Sequence, residues 1–175
     1  MSLLPTLRAL LIDEIRDLYF AENKLLKALP KMAKAATNPK LKEGFRHHLA
    51  QTLTHVDRLA EALTSLGCPV KGKTCHAMLG LIEEGAEAID VEGPAAVRDA
   101  ALIGAAQRVE HYEMAGYGTA RAFAQALKES SVARLLQATL IEEGATNQAL
   151  TKISFVVNAD ALVVDELPPA TRKSR

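Results

Sequence analysis

Apolar residues return every three or four positions along most of the 175-residue chain, and the return lapses where proline, glycine or asparagine stand. Leu11, Ile15, Leu18, Tyr19, Leu25, Leu26 and Leu29 mark one face of a long first helix over about 5–36. Pro30 lies in its last turns, where a missing backbone donor should bend or end the helix near Leu29. Thr37-Asn38-Pro39 then stops and restarts the chain, with Asn38 as N-cap and Pro39 at the first helical position. The second helix carries Leu41, Phe45, Leu49, Val56, Leu59 and Leu63 to about Leu66, and Gly67-Cys68-Pro69 ends it.

A polar loop leads to a shorter helix over about 76–89, and Gly93-Pro94 restarts the chain into a third long helix through Val97, Ala101, Ala105, Val109 and Tyr117 to about Leu127. Ser130 or Ser131 caps a fourth, through Val132, Leu135, Leu136, Leu140, Leu150 and Ile153. The run SFVV within it is β-branched and is the weakest point of the helical reading. Each long helix would span roughly 42–48 Å at 1.5 Å per residue, so four can lie side by side. The short helix falls between the second and third long ones, where it lets the chain cross the bundle. The fold expected is therefore all-α: a ferritin-like four-helix bundle of two hairpins with an additional short crossover helix. It forms one domain over 1–160, and 161–175, which carry no periodic face, form a flexible C-terminal tail.

Several polar residues interrupt the apolar faces. On the first helix Glu22 continues the stripe of Ile15, Leu18 and Tyr19 and precedes Leu25. On the second, His48, Thr52 and His55 follow Phe45 at spacings of three and four, so both histidines reach the interior or its edge. On the third, Glu110 and Glu113 share a side with Ala106 and Tyr117. On the fourth, Glu142 and Glu143 lie between Leu140 and Leu150, with Asn147 a turn beyond Glu143. A glutamate at helical spacing is usually solvated, and His47, His76 and His111 read as surface or capping residues. Acids or imidazoles near the midpoint of four helices are different, because buried ionised carboxylates must be paired or bound to metal. Bases are scarce on these faces: Arg108 points away from Glu110 and Glu113, and the fourth helix has none between Arg134 and Lys152. A bound cation is the simplest compensation, and carboxylates with imidazole suit iron or manganese. Tyr19 and Tyr117 read as packing residues, either of which could also hydrogen-bond a ligating carboxylate.

Composition narrows the function classes. Hydrophobic residues make up 49% of the chain, enough for one real core, and 21 basic against 21 acidic residues leave no global field to attract nucleic acid or an anionic membrane. Cys68 and Cys75 are too few for a disulfide scaffold and read as plain thiols of a reducing compartment. The first residues have a short apolar patch broken by Pro5, Arg8, Asp13 and Glu14, unlike a signal peptide or a membrane span. A soluble, cytoplasmic protein is expected, with neither nucleic acid nor membrane as partner.

The runs IRDLYFAENKLLKALPKMA, HHLAQTLTHVDRL and AMLGLIEEGAEAI, and above all RDAALIGAAQRVEHYEMAGYGT, resemble the YciF-like branch of bacterial ferritin-like stress proteins over about 5–157. VEHYE followed by YGT is the most specific part. The resemblance implies a helical bundle, usually a homodimer, with a dinuclear metal centre. Carried over residue by residue, Glu22, Glu110, Glu113 and Glu143 match the acidic positions of the inner faces, and His55 a position where the family has His or Gln. The chain departs from the usual Glu-x-x-His spacing of ferritin-like di-iron proteins: Thr52 stands three before His55, and Thr146 three after Glu143. Relatives also often carry Glu at the positions of Ala50 and Gln51 and Asp at that of Asn147. Three functions follow as alternatives: an iron (di-iron) or manganese protein handling a small-molecule oxidant such as oxygen or peroxide, a non-catalytic structural or stress dimer with a vestigial or empty site, and iron storage.

Overall fold

Five helices and short loops make up residues 5–165, the part of the chain that the computed structural model describes. They are α1 (Leu7–Ala35), α2 (Pro39–Ser65), α3 (His76–Ile89), α4 (Ala95–Ala126) and α5 (Ser130–Asp165), with no strand among the described residues. The boundaries follow the local chemistry. Thr6 Oγ1 accepts from the Ala9 amide at the start of α1, and Asn38 Oδ1 accepts from the amides of Lys40 and Leu41 at the start of α2, with Pro39 at its first position. α2 ends at Gly67, whose φ of 71° lets its amide and that of Cys68 turn back onto the carbonyls of Thr64 and Leu63. α4 ends by the same device on a non-glycine residue, Lys128 at φ 59°.

Two expectations are revised and the weakest one holds. Pro30 lies inside α1, which continues to Ala35; one missing donor is outweighed by the apolar face that Met32 and Ala33 bury beyond it. The SFVV run stays helical because Val157 is drawn into the core at 1% exposure while Phe155 faces out. The helix also passes 160, so 161–165 belong to α5; the remainder of the expected tail lies outside the described residues.

α1 packs against α2 and α4, and α5 against α2 and α4, so the long helices form a ring in which α2 and α4 occupy opposite corners. The α1–α2 and α4–α5 connections are short enough to force antiparallel hairpins. Joining opposite corners needs a longer path, and α3 provides it, lying over α1 and α4. Its leading loop is stitched to α1: the Lys73 amide donates to the Arg16 carbonyl, and its ammonium pairs with Asp13 at 2.6 Å. Gly72 sits so close to Phe20 that a Cβ would stand 3.1 Å from that residue's own Cβ.

Asp99, 2% exposed on α4, ties the two hairpins together. Its carboxylate accepts from the Thr37 amide at 2.9 Å, the Thr37 hydroxyl at 2.6 Å and the Asn38 amide at 2.7 Å, all in the α1–α2 turn. Asp99→Ala strands these donors, and a loss of about 2–3 kcal/mol in urea unfolding is expected; a loss below about 0.5 kcal/mol would mean that water replaces the carboxylate at no cost.

The apolar interior is divided. One cluster contains Leu25, Leu29, Leu41, Phe45, Met78, Leu102 and Leu150. The other contains Leu11, Ile15, Leu18, Leu59, Leu63, Tyr117 and Leu136. Between them on every long helix stands a polar layer of Glu22, His48, Thr52, His55, Glu110, Glu113, Thr139 and Glu143, each no more than 3% exposed.

Candidate metal centre

Helical spacing delivers these side chains to one depth. Glu22 follows Leu18 by four and precedes Leu25 by three, so α1 can turn neither inward without it. On α2 the series Phe45, His48, Thr52, His55, Leu59 keeps one inward line, and on α4 Glu110, Glu113 and Tyr117 do the same. Gly116 lets α4 approach α1 closely here, since a Cβ would fall 2.9 Å from Leu18 Cδ2.

His55 Nδ1 lies 3.2 Å from Glu22 Oε1 and 2.9 Å from Glu143 Oε1, but off the axis of a hydrogen bond, so the nitrogen is left without a partner. Its other nitrogen, Nε2, is 2.8 Å from Glu142 Oε2. Glu142 is in turn clamped by Arg58, whose two terminal nitrogens reach its oxygens at 2.6 and 3.0 Å. Arg58 holds the Glu142 carboxyl below its ordinary pKa, against the effect of partial burial. A ring with Nε2–H donated to a fixed carboxylate keeps its Nδ1 lone pair free, the usual way a ligating histidine is oriented.

His48 is arranged likewise with its nitrogens exchanged. The Thr146 hydroxyl donates to the Glu142 carbonyl at 3.1 Å, so its oxygen accepts from His48 Nδ1, 3.3 Å away. Nε2 then carries the lone pair, unpartnered, 3.4 Å from Glu110 Oε1 and 3.6 Å from Glu143 Oε2. Burial pushes the His48 pKa down, which favours that neutral ring.

The acids complete the picture. Glu110 and Glu113 are pushed well above the ordinary carboxylate range, first by burial and then by the charges of neighbouring glutamates. Glu22 is raised by burial, against a lowering by His55, and accepts from the Tyr117 hydroxyl at 2.6 Å. Without a cation, burial would drive the His55 imidazolium pKa down, but the carboxylates of Glu143 and Glu22 close to its Nδ1 push it up to about 10. One proton on His55 is all the positive charge that these enclosed acids hold among themselves. Oxygens of Glu22, Glu110, Glu113 and Glu143 remain without a hydrogen-bond partner, an expensive state unless a further group satisfies them.

The donor atoms fall into two sets, each within 4.8 Å: Glu22, His55 and Glu143, and His48, Glu110, Glu113 and Glu143. Glu143 belongs to both. Neither set contains a cysteine, so they suit ions that take nitrogen and oxygen, and two divalent ions would balance four ionised glutamates. The five residues singled out from the sequence, Glu22, His55, Glu110, Glu113 and Glu143, thus lie together. His48 joins them as a sixth donor; its place at spacings of three from Phe45 and seven from His55 was the available signal. The Arg58–Glu142 pair has no signal in the spacing of either helix, because it forms only where α5 lies against α2. His47 and His111 are exposed, and Cys68 and Cys75 are free thiols.

The family described as a domain of unknown function, DUF892, matches residues 6–162. Protein YciF of Escherichia coli (strain K12) is 42% identical over 153 residues, covering 87% of this chain and 92% of YciF. The crystal structure of that E. coli stress protein superposes with a TM-score of 0.85 at 41% identity, covering 89% of this chain and 98% of the other. YcfI from Rhodopseudomonas palustris superposes with a TM-score of 0.82 at 41% identity, over 85% and 94% of the two chains. A protein from Xanthomonas campestris, 18% identical with a TM-score of 0.74, shares the fold. With a family match across nearly the whole described bundle and this degree of identity, the chain belongs to the DUF892 family and is a homologue of the stress protein YciF.

Proposed function

We propose that the polar layer is the site of a dinuclear iron or manganese centre of a ferritin-like stress protein, to which Glu143 would contribute from both donor sets. The observation that carries this reading is the pair of unpartnered imidazole nitrogens, His55 Nδ1 and His48 Nε2, on rings each held by the opposite nitrogen and each facing buried, unpartnered carboxylate oxygens. One ion would take Glu22, His55 and Glu143, the other His48, Glu110, Glu113 and Glu143. Such ions supply one-electron chemistry toward a small oxidant, oxygen or peroxide. The chain's own residues orient and insulate: Arg58 fixes Glu142, Glu142 fixes His55, Tyr117 fixes one oxygen of Glu22, and the apolar clusters on both sides exclude water. His55 would give up the proton it holds in the metal-free bundle when it serves as a ligand.

Metal analysis of protein expressed with iron or manganese supplied tests the reading. About two ions per chain are expected, with an ultraviolet band on aerobic ferrous addition. Metal near zero and no band would favour the other reading, a non-catalytic structural dimer in which the acids stay protonated.

The assembly proposed is a homodimer in the cytoplasm. Ile141, Phe155 and Val156 on α5 are 61, 73 and 51% exposed, an apolar run that a second copy could cover. No described helix is long and apolar enough to cross a membrane. Light scattering on a sizing column separates a dimer from a storage cage.

A further inference from the structure

Between α2 and α5 a cleft of about 250 Å³ runs down to the polar layer. Gly44, Ala145 and Ala149 keep its walls thin, His47 stands at its rim, and His48 and Glu110 line it below. Those two are the donors of the centre that retain some exposure, 3 and 2%, while Glu22, His55, Glu113 and Glu143 are at 0%. Gln51 also lines the cleft, and its buried Oε1 has no hydrogen-bond partner. No lysine or arginine lines the walls, so nothing repels a cation on the way in. The far end of the layer is closed by the Arg58–Glu142 clamp and by Tyr117.

We infer that the α2–α5 cleft is the entry port of the centre, through which a hydrated divalent cation passes from His47 by Gln51 to the His48 and Glu110 donors. The inference rests on the reading of the polar layer as a metal site. It makes the two ion positions unequal: the His48 position fills from solvent, and the Glu22–His55 position fills through it.

A port differs from a ligand in what its blockage changes. Narrowing a path raises the barrier equally in both directions, so entry and exit slow by the same factor and the affinity is untouched; removing a ligand changes the affinity. Ala149→Trp on α5 and, independently, Gly44→Leu on α2 narrow the cleft from opposite walls. Ala149 is exposed, and a Cβ at Gly44 meets only Ile153 Cδ1 at 3.8 Å, so both helices accept the change. Cobalt(II) is the probe, its uptake by metal-free protein and its removal by EDTA each followed by visible absorbance. About tenfold slower uptake and equally slower removal are expected in both variants, with the wild-type amount bound at equilibrium. Ala28→Trp, in the separate groove between α1 and α3, should leave both rates alone. Wild-type rates in both cleft variants would overturn the port and leave the centre standing; a wild-type protein that binds no cobalt at all would overturn both.

Discussion

Glu143→Ala is expected to abolish metal binding at both positions at once, whereas Glu22→Ala should abolish it at one. The difference follows from membership: Glu143 stands in both donor sets and Glu22 only in that of His55. In chelator neither variant should unfold, since each removes an acid from a layer already crowded with them. Added iron or manganese at a hundredfold excess over Kd stabilises a native state that alone binds it by about 2.7 kcal/mol. That gain should be present in the wild type, absent in Glu143→Ala and reduced in Glu22→Ala. Equal metal content in all three proteins would place the ions elsewhere.

The second large effect has the opposite sign. Glu110 and Glu113 are enclosed beside Glu22 and Glu143, and burial with like charge pushes their pKa values up. An acid whose folded pKa is raised costs stability at every pH above its unfolded pKa, because folding must take up a proton or bury a charge. The double change Glu110→Gln with Glu113→Gln removes both costs while keeping shape. At neutral pH in chelator the variant should be more stable than wild type by about 1–3 kcal/mol, a rise of roughly 2–12 °C in melting temperature for a chain of this size. With metal added the order should reverse. Identical melts in chelator, with metal shifting both proteins equally, would show that the two glutamates bear no buried charge.

The long elements were legible because the helices advertise themselves twice, by an apolar face and by punctuation. Asn38-Pro39 and Gly67 act in the structure as their chemistry requires. Glu22, Glu110, Glu113 and Glu143 were legible for a related reason: each interrupts an apolar stripe, and an interruption on the buried face needs a cause. What escaped depends on distances between helices. Nothing local distinguishes Arg58 from an ordinary exposed arginine; its role exists only because α5 brings Glu142 alongside. Asp99 likewise reads as a polar residue near a helix start until the α1–α2 turn is laid on it.

The same limit hid the link among Cys75, Tyr112 and Asp17. Tyr112 donates to Asp17, so the thiol of Cys75, 2.9 Å away, donates to the phenol oxygen. Burial, with Asp17 next, pushes the thiol pKa up, which makes this cysteine a poor nucleophile and supports the plain reading. The three residues lie on α4, on α1 and at the start of α3, and no spacing within one helix connects them.

The division of the interior has a bearing on how the chain opens. Two apolar clusters, one under α3 and one at the α4–α5 turn, are held apart by a sheet of acids and imidazoles that contributes little cohesion without a cation. The metal-free chain is in this sense two half-barrels sharing four struts. Amide exchange in each half can then report a separate opening free energy. Two ions that between them hold all four struts at mid-height would weld the halves into one cooperative block, so that loading the protein turns two melting units into one.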